Sequence, residues 1–414
     1  MTMPPDTATR QVIPIAMEQC EVTVIGGAGH VGIPLVLALA EAGFRVNVND
    51  PNRASIDMLR AGSLPFMECG AEAVLKQALL QRRLAFTHSP EGVSKGGPVI
   101  ITIGTPIDEF LNPVRKVVQD CIDDLLPFLA DGQLVVLRST VFPGTTDWLA
   151  SYLQSKGHNL LVAFCPERIV QGVGLKELRE LPQIISGTTP EAERAVAELF
   201  GRITTEVVVL SPIEAEFAKL FSNAYRYIEF AVTNEFYLIA KSAGVDYQRV
   251  LNAMKHHYPR LSALPRPGFA AGPCLVKDTM QLGAFARNRF ALGHASLLIN
   301  EGLVLHVVDD LKRRYDLANL TVGLLGMAFK AESDDTRASL SYKFKKVLRV
   351  QTRAVLSTDP FVTTDPELRP LDEVIANSDL MILCAPHAVY RNAEFRDKPV
   401  FDLWGHLQGN NVIR

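Results

Sequence analysis

A glycine-rich turn between two β-rich runs constrains the fold of this chain more than any other feature. Residues 22–26 form the first run, and Gly27-Ala-Gly-His-Val-Gly32 then opens an apolar helical pattern that continues to residue 42. Residues 44–49 form the second run. This spacing predicts two parallel strands joined by a helix. A GxGxxG turn at that place allows a pyrophosphate to approach the N-terminus of the helix closely.

An aspartate at the end of the second run strengthens this interpretation. Asp50 lies 23 residues after Gly27. A carboxylate there accepts hydrogen bonds from ribose hydroxyls and repels a 2′-phosphate, so it favours NAD over NADP. The alternative is an ordinary tight turn with a capping aspartate. We predict that this part of the chain binds NAD.

The alternation of strands and helices continues and then changes. Further β-rich cores lie at residues 98–103, 134–137, 160–164 and 207–210, which predicts a mostly parallel sheet with helices on both faces. Ser211-Pro-Ile-Glu214 is typical of a helix start, and no strand signal follows before residue 321. Strand cores return at residues 321–325, 355–356, 380–384 and 400–402.

We therefore predict an α/β protein with three parts. Residues 1–210 form an N-terminal Rossmann-like doubly wound sheet. Residues 211–317 form a central helical region that begins with a long helix. Residues 318–414 form a smaller C-terminal Rossmann-like α/β domain.

Composition excludes several other classes. The 414 residues carry 42 Lys and Arg against 45 Asp and Glu, a formal charge of −3, so we expect no nucleic-acid partner. No segment approaches the roughly 18 consecutive apolar residues of a membrane span, so we expect no membrane partner. Six cysteines in a chain of this length are too few for a disulfide framework and indicate a reducing cytoplasm.

Polar residues follow several of the predicted strands. Gly104-Thr105-Pro106 and Ser139-Thr140 lie where strand ends should face a ligand crevice, although either group could be simple turn chemistry. Glu167 ends another strand and is either a general base, a carboxylate that orients water, or a surface salt-bridge residue.

The central region has two further candidates. Lys219 and Asn223 are four residues apart on the long helix and could stabilise an oxyanion, or could form a solvated polar stripe. Cys274 stands in a Gly- and Pro-rich loop beside Lys277 and Asp278, and is either a nucleophile or a small buried apolar group. No cysteine or histidine cluster has metal-ligand spacing, so we predict no metal site.

Together these motifs resemble the UDP-glucose/GDP-mannose dehydrogenase family of nucleotide-sugar 6-dehydrogenases. The resemblance extends from about residue 22 to residue 404. It rests on the motifs above and on three more segments: Gly272-Pro-Cys-Leu-Val-Lys-Asp278, Gly326-Met-Ala-Phe-Lys330 and Asp335-Thr-Arg337.

The resemblance implies a four-electron oxidation of a sugar C6 alcohol to the uronate with two NAD, through a cysteine thiohemiacetal and thioester. It implies these catalytic residues: Cys274, Lys219, Asn223, Asp278, Glu167 and Thr140. It implies that NAD is bound by Gly27, Ala28, Gly29, His30, Val31, Gly32, Asp50, Arg53, Thr105, Pro106 and Thr140. It implies that the nucleotide sugar is bound by Glu167, Lys219, Asn223, Arg260, Phe269, Gly272, Lys330 and Arg337, with Arg260 entering from a partner subunit. A homodimer through the central helix is also implied.

The substrate is the least determined feature of this prediction. Gly272-Pro273-Cys274-Leu275 resembles the branch that oxidises UDP-N-acetylhexosamines such as UDP-N-acetylmannosamine, whereas Gln171 fits neither that branch nor the UDP-glucose branch. UDP-glucose is the alternative substrate. There are two rival functions. One is a two-electron dehydrogenase of the hydroxyacid type, and the other is an inactive paralogue that only binds sugar nucleotide.

Overall fold

The computed structural model describes residues 21–93, 96–269 and 272–414. These residues form two compact units. The first contains the described residues up to Pro106 and those from Pro113 to Lys219; the second contains residues 107–112 and everything from Leu220 onward. The boundary lies inside one long helix.

The first unit is built on a wide, mostly parallel sheet. Its strands are β1 Val22–Ile25, β2 Val46–Asn49, β3 Leu84–Thr87, β4 Val99–Ile101, β5 Leu134–Leu137, β6 Leu161–Phe164, β7 Gln183–Gly187 and β8 Val207–Val209. Their order is β3-β2-β1-β4-β5-β6-β7-β8, and β7 is antiparallel to β6. The first six strands have the order of a dinucleotide-binding sheet, so a ligand crevice is expected where β1 and β4 diverge.

Helices cover this sheet. They are α1 Gly32–Glu41, α2 Arg53–Arg60, α3 Ala71–Leu80, α4 Lys116–Leu125, α5 Thr145–Ser155, α6 Gly174–Glu180 and α7 Pro190–Gly201. Helix α1 is buried over nearly its whole length, from Gly32 to Ala40, because it packs between the sheet and helices α3 and α6. This burial explains its almost continuous apolar sequence, and it fixes the N-terminus of α1 beside the glycine-rich turn.

The long helix α8 runs over Pro212–Ser242. Ser211 and Glu214 form the predicted start signal: the Ser211 backbone N–H donates to the Glu214 carboxylate at 2.9 Å, and the Ser211 hydroxyl donates to the same oxygen at 2.6 Å. Pro212 takes the first helical position, where no N–H partner is needed. The helix continues for 31 residues and ends at Ser242.

The second unit has a smaller parallel sheet. Its strands are β9 Thr321–Leu325, β10 Ala354–Thr358, β11 Leu380–Leu383, β12 Val400–Phe401 and β13 Val412–Ile413, in the order β10-β9-β11-β12-β13. Its further helices are α9 Tyr247–Lys255, α10 Leu275–Phe285, α11 Ala291–Arg314, α12 Leu340–Arg349 and α13 Leu371–Asn377. The strand order reverses between β9 and β11, so residues that follow these two strands are placed to meet a ligand.

The predicted α/β fold class is confirmed, with three strands missing from the prediction. These strands are β3, β7 and β13, each of five residues or fewer. Among the described residues, α11 has the length and apolar composition that a membrane span would need. Its buried residues Leu303, Val307 and Leu311 belong to the core of the second unit.

Candidate active site

The glycine-rich turn of the first unit is shaped for a bound pyrophosphate. A Cβ on Gly32 would lie 2.3 Å from the backbone oxygen of Gly26, so only glycine allows α1 to begin this close to β1. His30 stacks on Phe66 with ring centroids 3.9 Å apart. The N-terminus of α1 therefore begins at a turn that no larger side chain at position 32 could form, which fits a dinucleotide.

Asp50 follows β2 and is hydrogen-bonded to that turn. Its Oδ2 accepts from the Ala28 backbone N–H at 3.1 Å, and its Oδ1 accepts from the Asn52 N–H at 2.9 Å. The Asn52 side chain in turn caps α2, whose first residue is Arg53. Asp50 is thus fixed at the strand end where an acidic residue meets the ribose in this fold.

The loops after β4 and β5 are tied together. The Thr105 hydroxyl donates to the Thr140 backbone oxygen at 2.6 Å, and the Ser139 hydroxyl donates to the Ile103 oxygen at 2.6 Å. Pro106 accepts from the Val114 N–H, which closes the loop that follows. The structure therefore brings Thr105, Pro106 and Thr140 together at the edge of the sheet where β1 and β4 diverge.

Glu167 forms a buried ion pair with Arg138. Arg138 is 0% exposed and donates to Glu167 Oε2 from Nε at 3.1 Å and from Nη2 at 2.7 Å. Glu167 Oε1 accepts from the backbone N–H groups of Arg168 and Ile169 at 2.7 and 2.9 Å. Each carboxylate oxygen thus accepts two hydrogen bonds, an arrangement that fixes the position of the carboxylate.

Arg138 was not among the predicted site residues. Its remaining contacts are the Cys165 backbone oxygen and sulfur and the Gln183 side chain, and its guanidinium lies 5.0 Å from the centre of the Phe200 ring. Burial alone would lower the pKa of Arg138, but the charge and hydrogen bonds of Glu167 and Cys165 raise it. The sign of Arg138 in the sequence is a lone arginine at the end of a fully apolar strand.

Glu216 anchors the start of α8, close to Lys219 in sequence. Its carboxylate accepts from the Gly144 N–H at 2.5 Å and from the Thr146 N–H and hydroxyl at 2.8 and 2.7 Å, so it caps α5. Burial raises the pKa of Glu216, although these hydrogen bonds oppose the shift. Lys219, one turn later, is 8% exposed. Glu216 was also missed, because its partners lie 70 residues away.

In the second unit, Asn223 and Asp278 form a buried pair. Asn223 Nδ2 donates to Asp278 Oδ2 at 2.6 Å. Asp278 is 0% exposed, and its Oδ1 lies 3.4 Å from Lys277 Nζ but accepts no hydrogen bond from the described residues. A buried carboxylate oxygen in this state is suited to accept a hydrogen bond from a water molecule.

Cys274 stands exposed at the N-terminus of α10. Its backbone oxygen accepts from the Asp278 N–H at 2.9 Å, which places the two residues on one face of the helix. Gly272 has φ +108°, and a Cβ there would lie 2.8 Å from the Phe329 ring. Glycine at 272 thus lets the cysteine loop approach the loop that follows β9.

Asn234 of α8 holds the same loop and was missed by sequence reasoning. Its Oδ1 accepts from the Gly268 N–H at 2.8 Å, and its Nδ2 donates to the Gly268 oxygen at 3.1 Å. Asn300 of α11 accepts from the same Nδ2 at 2.9 Å. The sequence does contain a sign of this residue: Asn234 lies 11 residues after Asn223. That distance is about three helical turns, so both amides lie on one face of α8.

The other predicted substrate-binding residues differ in burial and in the residues that they contact. Phe269 is buried in the core, with its ring centroid 5.3 Å from that of Phe344. Arg260 is exposed and lies over the Tyr258 ring at 5.5 Å. Lys330 is half-buried after β9, and Arg337 binds Asp335. Among the described residues, no group of three or more His, Cys, Asp or Glu side chains could hold a metal ion.

Comparison with known proteins identifies the family. Successive parts of the chain match the three domains of the UDP-glucose/GDP-mannose dehydrogenase family: the NAD binding domain over residues 20–204, the central domain over residues 213–301 and the UDP binding domain over residues 323–409. The chain belongs to this family. The predicted family, the predicted enzyme class and the predicted cofactor are confirmed: the protein is an NAD-dependent nucleotide-sugar dehydrogenase.

Individual relatives match the dehydrogenase over nearly its whole length. A UDP-N-acetyl-D-mannosamine dehydrogenase of Pyrococcus horikoshii is 27% identical over 407 residues, which cover 94% of this chain and 95% of the relative. The structure of UDP-D-ManNAc dehydrogenase from that organism matches with a TM-score of 0.86 at 26% identity, over 94% of this chain and 96% of the other. A UDP-glucose dehydrogenase structure from Pyrobaculum islandicum matches with a TM-score of 0.87 at 26% identity, over 97% and 98%.

Proposed function

We propose that the dehydrogenase oxidises the C6 alcohol of a UDP-N-acetylhexosamine, with UDP-N-acetylmannosamine favoured, to the uronate. Alcohol, two NAD and one water give carboxylate, two NADH and three protons. NAD, when bound, accepts a hydride in each oxidation. The C6 aldehyde adds to the Cys274 sulfur as a thiohemiacetal, the second oxidation gives a thioester, and water releases the acid and regenerates the thiol.

The observation that carries this proposal is the exposed Cys274 thiol at the start of α10, one turn from the buried Asn223–Asp278 pair. A nucleophile needs access to the substrate, and a helix N-terminus favours the thiolate. A two-electron hydroxyacid-type dehydrogenase needs no such cysteine. An inactive paralogue would not need to retain these four residues: Cys274, Asp278, Asn223 and Lys219.

The other polar residues have separate tasks in this mechanism. Lys219 and Asn223 stabilise oxyanions that develop at C6. Asp278 and Thr140 orient water and move protons. Glu167 orients groups rather than accepting a proton, because Arg138 and two backbone N–H groups already bind both of its oxygens.

The nucleotide sugar is bound mainly by the C-terminal residues in this proposal. The match of residues 323–409 to a UDP binding domain supports this assignment, with Lys330 and Arg337 as the cations. Phe269 and Gly272, from the segment before the cysteine, contact the nucleotide sugar in this proposal, and Arg260 reaches the site of a partner subunit. In this proposal each domain has its own task. Residues 1–210 bind NAD, residues 211–317 supply the nucleophile and the dimer contact, and residues 318–414 bind the nucleotide sugar.

A panel of UDP- and GDP-sugars with NAD tests the substrate and the stoichiometry. We expect two NADH per uronate, with UDP-N-acetylmannosamine the best substrate, because the full-length relative of Pyrococcus horikoshii carries that name. A higher kcat/KM for UDP-glucose would select the alternative that the Pyrobaculum islandicum structure suggests. One NADH per product would contradict the four-electron route, and no turnover of any sugar nucleotide would support the inactive paralogue.

The Cys274→Ala variant tests the covalent mechanism. It should lose steady uronate formation, because no thiol remains to hold the aldehyde. Cys274→Ser should stall as a covalent adduct visible in the intact-protein mass, since an alkoxide is a poorer leaving group than a thiolate. Cys69→Ala, which removes the exposed thiol of the first unit, is the matched control and should keep near wild-type activity. Uronate formation by Cys274→Ala at the wild-type rate would contradict the mechanism.

We also propose a homodimer that works in the cytoplasm. Helix α8 exposes an apolar face with Phe221, Tyr225, Phe236 and Ile239 at helical spacing, 42–63% exposed in the single chain. Such a face is typical of a contact between subunits. The cysteines of the described residues are free thiols, as a reducing compartment requires.

A further inference from the structure

Two loops of the second unit meet beside Cys274. The Gly272 N–H donates to the Ala338 backbone oxygen at 3.5 Å, and Gly272 packs against the Phe329 ring. The loop after β9 returns on itself through a hydrogen bond from the Phe329 N–H to the Asp335 oxygen at 2.9 Å. Ala338, the residue after Arg337, is therefore held next to Gly272, which lies two residues before Cys274.

Arg337 is fixed within this loop by Asp335. Its Nε lies 3.0 and 3.1 Å from the two Asp335 oxygens, and its Nη2 donates to Oδ2 at 2.7 Å. The Arg337 N–H also donates to Asp335 Oδ1 at 2.9 Å. Asp335 is buried, whereas the Arg337 side chain is 52% exposed. The guanidinium is thus preorganised without being sealed from ligands or solvent.

Arg337 and Cys274 lie on these two adjoining loops, near enough for their charges to interact. Burial alone would lower the pKa of the Arg337 guanidinium, but the hydrogen bonds and charge of Asp335, together with the charge of a Cys274 thiolate, raise it. Such an interaction is reciprocal: a cation that is stabilised by a thiolate stabilises that thiolate equally.

We propose that Arg337 is a positioning residue that stabilises the thiolate form of Cys274. This role rests on the proposed function, in which Cys274 is the nucleophile, and it adds to the substrate contact that the family resemblance implies. The thiol proton goes to solvent, because Cys274 is exposed. The resting enzyme therefore holds its nucleophile partly ionised before substrate binds.

Other charges near the thiol act in both directions. Lys277 and the N-terminus of α10 favour the thiolate. Asp278, on the same face of α10, and Asp335, behind Arg337, oppose it. Asp278 pairs with Lys277, and Asp335 pairs with Arg337. Removal of Arg337 therefore takes away a cation from the loop next to that of the cysteine, while the Asp335 charge stays.

Alkylation of the free enzyme by iodoacetamide at a series of pH values tests this proposal without using turnover. Peptide mass spectrometry separates the rate at Cys274 from that at Cys69, an exposed thiol of the first unit that serves as internal control. In Arg337→Gln, the pH of half-maximal alkylation at Cys274 should rise by about one unit. Arg337→Lys should restore part of the shift, and Arg391→Gln, which changes another exposed arginine of the second unit, should cause none.

An unchanged Cys274 profile in Arg337→Gln with a raised KM for the sugar nucleotide would overturn the proposal and leave Arg337 as a substrate residue only. If Arg337→Gln does not fold, judged by circular dichroism, the Arg337→Lys profile decides: a rise smaller than about one unit in the pH of half-maximal alkylation is then required, and an unchanged value would overturn the proposal. Failure of the proposed function is seen separately, as uronate formation by Cys274→Ala, and leaves the alkylation result intact.

Discussion

At the scale of single residues, the buried pair of Arg138 and Glu167 connects folding to the site. Both side chains lie where water cannot replace a lost partner, so removing one leaves the other charged and uncompensated. The pair therefore does two things: it fixes the Glu167 carboxylate, and it makes the end of β5 dependent on that carboxylate.

Arg138→Met should destabilise the protein by about 3–5 kcal/mol, measured as the free energy of unfolding in urea. The Arg138→Met, Glu167→Gln double variant should recover part of this loss, because no unpaired buried charge remains. Arg179→Met is the control: Arg179 pairs with Glu41 at the surface, and such pairs contribute roughly 0–1 kcal/mol. An Arg138→Met variant as stable as the control would show that the pair is not needed.

We predict that Asp50 decides the choice between the two nicotinamide cofactors. The wild-type enzyme should show a strong NAD preference, and Asp50→Asn should lower the ratio of kcat/KM for NAD to that for NADP at least about tenfold, because the repulsion of a 2′-phosphate is removed. Asp57→Asn, an exposed carboxylate of α2, should leave the ratio unchanged. Equal use of both cofactors by the wild-type enzyme would contradict the assignment.

At the scale of elements, the turns after β9 and after β1 are each held by a carboxylate: Asp359 holds the first and Asp50 the second. Asp359 follows β10, and its Oδ2 accepts from the Met327 and Ala328 N–H groups at 2.6 and 3.0 Å. His387 Nε2 lies 3.2 Å from the same oxygen. Burial would raise the pKa of Asp359, but His387 and the backbone N–H groups lower it below its ordinary 3.8.

Asp359→Asn should therefore lower the free energy of unfolding at pH 7 by about 1–3 kcal/mol, because the amide cannot reproduce the charged hydrogen bonds. The sign follows from the lowered pKa: the stabilisation is complete above the unfolded value and is lost as pH falls through the folded value. The difference between wild type and variant should thus shrink below pH 3.8. A difference that grew on acidification would contradict this account. Urea unfolding at several pH values measures it.

At the scale of the whole molecule, the exposed face of α8 predicts the oligomeric state. Light scattering coupled to gel filtration should give twice the monomer mass for the wild type. Tyr225→Glu with Ile239→Glu should give the monomer mass, because two charges would be buried without partners in the contact. Leu80→Glu with Val350→Glu changes exposed apolar residues outside α8 and should leave the dimer intact. A monomeric wild type would refute the dimer.

Much of the fold follows from short-range patterns. Strands β5 and β9 have the predicted bounds, and the start of α8 carries the predicted capping residues. Strands β3, β7 and β13 were missed because each is short and gains its partners only from the sheet. In the site, every predicted catalytic residue was identified from a sequence motif, whereas the structure alone identified Arg138, Glu216 and Asn234.

The sequence by itself determined the order of the elements, the NAD-binding turn, the family and the candidate nucleophile, because each depends on residues that are neighbours in the chain. Only the tertiary structure decided that Glu167 is held by Arg138, that Asn223 binds Asp278, and that the Arg337 loop lies against the Cys274 loop. The partners in these contacts are 29 to 66 residues apart. Such pairings depend on strand register and packing, and no local period in the sequence encodes them.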